Sequence, residues 1–263
     1  MQMKKEKITF LADSPPLGCV ICSKGEITKE KNLKGYGKAD YHIHSSVGDA
    51  VMTPEEIVDH AETITDLDII AITDHDQVKG GFAAQEYAKK KKYKIQVIAG
   101  EEVSTLKGHL IGLFMKKRIR RYTSLIDTIK DIHGQGGICI VPHPLSWLTT
   151  SVGERAFKKV MSHKDEDVYF DAVELINPAI AGRITDHKAK IFNEALWSLP
   201  VLGASDAHSL IGIGSAYTRF KGKTVEDFRK SIKDNTTKFG GRYWNFREHW
   251  ELFVEKVKRF KVF

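Results

Sequence analysis

Two imidazoles two residues apart open the chemistry of this chain, in Asp40-Tyr41-His42-Ile43-His44. In an extended strand, alternate residues point to one side, so His42 and His44 face the same way, as metal ligands do. Asp40 shares their parity and is placed to orient a histidine from behind. Other apolar runs end in the same residue types. These are Ile72-Thr73-Asp74-His75-Asp76, Gly100-Glu101-Glu102-Val103-Ser104 with Gly108-His109 after it, Pro142-His143-Pro144, and Gly203-Ala204-Ser205-Asp206-Ala207-His208. Charged groups at the ends of core strands are costly unless paired or used.

The chain has 11 histidines, and six of them (His42, His44, His75, His109, His143 and His208) stand at or beside strand ends. His60, His133, His163, His187 and His249 lie in helical or polar contexts and read as surface or packing residues. Nitrogen and carboxylate ligands together suit Zn, Mn or Fe without choosing among them. Paired ions in such a site generate hydroxide near neutral pH and clamp the attacking and leaving oxygens of an in-line displacement at phosphorus.

Alternating strands and helices must position these groups. Thr53-Pro54-Glu55-Glu56 is a helix start, with Thr as cap, Pro in the first turn and acids after it, and its helix runs to about Ile64. Strands are expected at Asp68 to Thr73, Ile95 to Ala99, His109 to Met115, Gly137 to Val141, Ala172 to Ile176 and Val201 to Ala204. Helices are expected at Lys79 to Lys92, Tyr122 to His133, Gly153 to Ser162, Ile184 to Leu199 and Val225 to Asp234. This rhythm predicts an α/β fold with a parallel sheet and outer helices, closed as a compact or distorted (β/α) barrel. Active sites of such folds assemble at the C-terminal ends of the strands, where most of these histidines and acids fall. His109, at the start of its strand, is the exception.

These motifs, in order DYHIHSSVGDAVMTPEE, IAITDHD, GEEVS, GHLIGLF, VPHP and GASDAH, resemble the PHP (polymerase and histidinol phosphatase) family over roughly residues 38 to 220. The resemblance implies a distorted (β/α)7 TIM-like barrel with two or three divalent metal ions at its mouth. It implies that His42 and His44, with Glu102 and Asp206, hold one ion. Glu102 would bridge to a second ion held by His109 and His143. Asp49 would join His75 and His208 around a third. The adjacent Glu101 leaves the bridging assignment one residue open, and Gly48-Asp49-Ala50 stands where the family often has Ser-Asp-Gly. Asp40, Asp74 and Arg183 are the candidates for catalysis itself. Arg183 and Lys79 are candidate phosphate partners, Arg because its fork matches two oxygens.

The bulk properties limit the alternatives. Forty-one per cent hydrophobic residues in 263 suffice for a real core, and no apolar run approaches the roughly 20 residues that span a bilayer. No signal peptide is expected, and three sparse cysteines fit a reducing, cytoplasmic setting. The net charge of +7 is concentrated in Lys/Arg runs such as Lys89 to Lys92 and Lys116 to Arg121, which read as solvated faces. Cys19 and Cys22 form one CxxC pair without a second. Residues 1–35 read as an N-terminal extension, 36–240 as the barrel, and 241–263 as a basic, aromatic helix docked on it through Trp250, Phe253 and Val257.

The leading functional expectation is phosphomonoester hydrolysis on a small phosphorylated metabolite or nucleotide. A nucleic-acid phosphodiesterase or 3′–5′ exonuclease is the enzymatic alternative, with direct nucleic-acid binding less favoured. A non-catalytic, metal-stabilised binding module is the third reading. Retention of all nine ligand positions argues against it.

Overall fold

The computed structural model describes residues 35–251 and 254. Its strands begin with β1 (Tyr36–Ile43), β2 (Ile69–Ile72), β3 (Gln96–Thr105) and β4 (Gly108–Leu113). They continue with β5 (Ile138–Val141), β6 (Ala172–Ile176), β7 (Val201–Gly203), β8 (Ala216–Lys221) and β9 (Lys238–Gly241). Between them run α1 (Pro54–Ile64), α2 (Lys79–Lys91), α3 (Leu125–Gly134), α4 (Glu154–Met161), α5 (Ile180–Phe192) and α6 (Val225–Lys233). The predicted single helix from Ile184 is α5 followed by a π-helical turn at Asn193–Trp197.

Local chemistry explains the boundaries. Thr53 caps α1 reciprocally with Glu56: Glu56 N donates to Thr53 Oγ1 at 3.2 Å and Thr53 N donates to Glu56 Oε2 at 2.7 Å. Thr224 and Asp227 cap α6 in the same way. The runs Ile-Ile-Ala-Ile of β2 and Ile-Cys-Ile-Val of β5 are buried on both faces, as strands covered by helices outside and packed within must be.

Among the described residues the strands form one sheet in the order β7-β6-β5-β4-β3-β2-β1-β8-β9. The ends approach each other through Thr218 of β8. Its Oγ1 accepts from Gly203 N at 3.0 Å and donates to Gly203 O at 2.9 Å, so the barrel nearly closes. Its interior holds Ala39, Tyr41, Ile69, Ala71, Ile98, Ile111, Ile140 and Leu202, with Phe228 and Ile232 of α6 packed against them. Two further apolar clusters lie outside the sheet, one under α1 and α2 and one under α3, α4 and α5.

The expectation of parallel strands needs correction. β1–β2, β2–β3, β5–β6 and β6–β7 are parallel, but β4 runs antiparallel to both β3 and β5, and β8 runs antiparallel to β1 and β9. The reason is chain length: Leu106 and Lys107 alone join β3 to β4, a hairpin turn too short for a crossover. β8 and β9 went unpredicted because Ala-Tyr-Thr-Arg-Phe-Lys and Lys-Phe-Gly-Gly carry weak apolar signal.

No described helix is long and apolar enough to cross a membrane. Beyond β9, the observed anchor is Trp244, buried with its Nε1 donating to Ser215 Oγ at 2.7 Å. Trp250, expected to dock, is 55 % exposed. Its expected companions Phe253 and Val257 lie outside the described residues, as do Cys19, Cys22 and nearly all of residues 1–35.

Candidate metal centre

The antiparallel turn of β4 resolves the position of His109. Because β4 descends where its neighbours rise, its first residues lie at the rim formed by the C-terminal ends of β2, β3 and β5. At this rim the six predicted histidines meet Asp49, Glu102 and Asp206.

The deepest group consists of four atoms: His42 Nε2, His44 Nε2, Glu102 Oε2 and Asp206 Oδ1. His42 Nε2 is 3.1 Å from His44 Nε2, 3.2 Å from Glu102 Oε2 and 3.4 Å from Asp206 Oδ1. His44 Nε2 is 3.2 Å from both carboxylate oxygens. A tetrahedron whose corners lie about 2.05 Å from a central ion has edges of about 3.3 Å. The five separations made by the two imidazoles match that edge, as donors to one small cation would.

Glu102 turns its second oxygen to another group. Oε1 is 2.8 Å from His109 Nδ1 and 3.1 Å from His143 Nε2. Glu101, adjacent in sequence, points away and accepts from Ile119 N at 2.8 Å. A third group gathers Asp49, His75 and His208 with His44. Asp49 Oδ2 is 3.3 Å from His208 Nε2, and the buried His44 Nδ1 lacks a hydrogen-bond partner, 3.7 Å from Asp49 Oδ1. This side opens to solvent, with the Asp49 side chain 52 % and His75 31 % exposed.

Neighbours set the tautomers. Glu174 Oε2 accepts from His42 Nδ1 at 3.1 Å, and the Asp206 carbonyl accepts from His208 Nδ1 at 2.9 Å. Ser151 Oγ spends its proton on the His143 carbonyl at 2.8 Å, so it accepts from His143 Nδ1 at 2.8 Å. Each neutral ring thus keeps its Nε2 lone pair for the cluster, the tautomer that binds metal.

The electrostatics favour added positive charge. Burial opposes ionisation of Glu102, but His42, His75 and the bonds from His109 and His143 hold its carboxyl well below the usual range. Burial likewise opposes ionisation of Asp206, and His42 and His44 outweigh it. In return, burial disfavours protonated His44, yet Asp206 and Glu102 raise it to about 9. A pocket that holds protons this firmly offers the same field to a divalent ion.

The backbone is strained at the same rim. Asp76, His143 and Asp206 take φ of 52°, 30° and 51°, a region unfavourable for residues with a Cβ. Such strain persists only where the surroundings impose it.

The remaining predicted site residues stand differently. Asp40 does not orient a histidine: its oxygens accept from Ser205 N at 3.0 Å and Gly214 N at 2.8 Å. The pairing of β1 with β2 shifts between Asp40 and Ile43, which breaks the parity that the strand pattern assumed. Burial pushes the Asp40 carboxyl up to about 6. Asp74 faces the loop before Asp49, accepting from Ser45 N at 2.5 Å and Ser45 Oγ at 2.7 Å. Arg183 makes no described contact with the donor atoms of the cluster. It lies exposed on α5 with its guanidinium 5.9 Å from the Tyr243 ring centre. Lys79 is exposed at the first position of α2.

Sequence reasoning missed Glu174, Asn177 and Ser151. Glu174 is wholly buried, and besides His42 it accepts from Tyr41 Oη at 3.1 Å and His143 N at 3.1 Å. Asn177 Nδ2 donates to Asp206 Oδ2 at 3.1 Å. A carboxylate inside the apolar strand Ala-Val-Glu-Leu-Ile was the available signal for Glu174.

Comparison with known proteins agrees with this geometry. The PHP domain model matches residues 40–199 and the PHP-associated model matches 189–237. An uncharacterized protein of Methanocaldococcus jannaschii is 32 % identical over 174 residues, covering 62 % of this chain and 94 % of that protein. A 5'-3' exoribonuclease of Haemophilus influenzae is 34 % identical over 97 residues, 35 % of this chain and 34 % of the enzyme. In fold, the chain is similar to a two-domain protein from Bacteroides vulgatus described as containing a predicted PHP-like metal-dependent phosphoesterase. The TM-score is 0.62 at 19 % identity, over 84 % of this chain and 70 % of that one. With most of its barrel matched by the domain model, this chain belongs to the PHP family.

Proposed function

We propose that the chain is a metal-dependent hydrolase of phosphate esters, acting on the terminal phosphate of a small phosphorylated metabolite or nucleotide. The observation that carries this reading is the pair of donor groups sharing Glu102: His42 and His44 Nε2 lie 3.1–3.4 Å from each other, from Glu102 Oε2 and from Asp206 Oδ1, and His109 and His143 stand at Oε1. In the proposal, His42, His44, Glu102 and Asp206 hold one ion. Glu102, His109 and His143 hold a second, and Asp49, His75 and His208 a third. Zn, Mn or Fe suits such ligands. Divalent ions there lower the pKa of water toward neutrality and polarise phosphoryl oxygens.

The chain's own residues supply the rest. Glu174, Ser151 and the Asp206 carbonyl hold ring protons at Nδ1 and direct three Nε2 lone pairs inward. Asp74 anchors Ser45 and through it the loop that carries Asp49. The exposed Asp49 and half-buried His75 mark the side by which a phosphate enters.

The match to an exoribonuclease supports a second reading, phosphodiester cleavage. Phosphate release from nucleotides, sugar phosphates and short oligonucleotides by Mn-reloaded protein tests both. Free phosphate from one monoester supports the first. Shortened oligonucleotides without free phosphate support the second. No hydrolysis of any ester by the reloaded protein would refute the proposal.

A further inference from the structure

The run Lys116 to Arg121 reads in sequence as an ordinary solvated face, but the fold gives it a direction. β4 delivers the chain to the end of the barrel remote from the cluster, where Lys116 N and Lys117 N donate to Gln135 Oε1 at 3.0 and 2.9 Å. The segment then climbs the outside of β3. Ile119 N binds the Glu101 carboxylate midway along that strand, and Tyr122 N donates to Ser104 O at 2.6 Å near its top. Leu106 N donates to Thr123 O at 3.0 Å, so the climb ends against the β3–β4 hairpin turn. Past that turn, His109 N donates to Thr150 O at 2.9 Å, joining the turn to the loop that follows His143. The basic run therefore ascends to the side of the rim formed by His109 and His143.

Its charges close no described ion pair. Lys107, Lys116, Lys117, Arg118, Arg120 and Arg121 are all exposed, and none forms an ion pair among the described residues. Elsewhere on the surface, Lys38, Lys130, Lys158, Lys223 and Lys230 each meet a carboxylate. The acids along the climb are turned inward: Glu101 is buried against Ile119 N, and buried Asp76 accepts from Ser104 N at 2.9 Å. Two aromatic rings stand in water at the top. Tyr122 is 60 % exposed with the Arg121 guanidinium 5.2 Å from its ring centre, and Trp147, four residues after His143, is 73 % exposed.

A file of unpaired cations fits a chain of phosphates, and exposed rings beside it fit unstacked bases. We propose that this strip binds single-stranded nucleic acid and leads its end to the metal cluster. The inference rests on the second, phosphodiester reading for what happens to that end, but strand binding stands or falls separately. The cations take the backbone without reading sequence. Tyr122 and Trp147 stack on bases near the reacting end, which lets the strip distinguish a strand from a bare polyphosphate.

The test is fluorescence anisotropy of a labelled single-stranded 12-mer with the full chain. Neutralising three to six phosphates predicts that affinity falls roughly 20- to 300-fold between 50 and 200 mM salt. The charge-reversed Arg118→Glu/Arg120→Glu/Arg121→Glu chain should lose at least tenfold in affinity and show a shallower salt slope, with an unchanged thermal midpoint. Trp147→Ala, on an exposed loop, should weaken the 12-mer severalfold but leave inorganic polyphosphate binding unaltered. No strand binding at 50 mM salt, or binding indifferent to charge reversal, would overturn the proposal. Equal affinity for polyphosphate and 12-mer, with no effect of Trp147→Ala, would also overturn it. Hydrolysis of a small chromogenic phosphoester by the unaltered protein, measured in parallel, reports on the phosphoesterase reading alone.

Discussion

Glu174 stands directly behind His42: its Oε2 is 3.1 Å from His42 Nδ1, and both side chains are wholly buried. The same carboxylate reaches His143 N through Oε1, so one residue of β6 braces two histidines assigned to different ions. Replacing Glu174 by Gln keeps the volume but leaves one acceptor oxygen where two are used, so an NH2 donor must face either His42 Nδ1 and Tyr41 Oη or His143 N and Asn177 Nδ2. Metal affinity should fall tenfold to hundredfold, read by chelator competition, with circular dichroism unchanged. Affinity within a factor of two of the unaltered protein would show that the bracing is incidental.

His42→Ala or Asp206→Asn should abolish turnover of metal-reloaded protein with little loss of fold. Glu102→Gln should also release more metal than either, because Glu102 offers one oxygen to each of two groups. Elemental analysis after reloading should find more metal lost from Glu102→Gln than from His208→Ala.

Strong chelation should remove activity, and Mn or Zn should restore it. The thermal midpoint should fall on chelation and recover on reloading, because ions that bind only the folded chain stabilise it by mass action. Chelator-indifferent hydrolysis by metal-free protein would contradict the assigned mechanism.

Gly80→Ala separates two effects of opposite sign. Alanine is favoured over glycine in a helix by about 1 kcal/mol. Yet a Cβ at position 80 would come within 2.1 Å of Asp74 Oδ2 and 2.7 Å of Ser45 Oγ. Overpacking of this kind costs about 1–3 kcal/mol. The variant should be no more stable than the original by denaturant titration. Its activity should drop, because Asp74 can no longer hold the Ser45–Asp49 loop.

Away from the site, both ring nitrogens of His133 face acceptors, the Asp167 carbonyl at 2.9 Å and Asp171 Oδ2 at 2.9 Å, so the protonated ring can donate to both. Burial disfavours its proton, but Asp171 and Asp167 outweigh it, and the ring's pKa is raised. A raised folded-state value means that the stabilisation is fully present below the unfolded value of about 6.5. It is then lost as pH rises through the higher folded value. His133→Gln should therefore cost about 1–2 kcal/mol at pH 5.5 and progressively less toward pH 9, by urea titration at each pH. A cost that grows with pH would reverse the assigned charge state.

The sequence by itself determined the residue types and the register of the chemistry. His42 and His44 are adjacent on one side of a strand because alternation is a local property. His75, His143 and Asp206 fall at strand ends because apolar runs and their stops are local too. Only the tertiary structure decided what required a third dimension. Glu102 rather than Glu101 faces the cluster because strand pairing sets which side of β3 points inward. His109 joins the rim because β4 runs antiparallel, a consequence of a short hairpin and not of its own residues. Asp40 turns to Ser205 and Gly214 because a register shift breaks the alternation that placed it beside His42. Glu174 acquires its role from neighbours more than 130 positions away along the chain, a separation that no local pattern can carry.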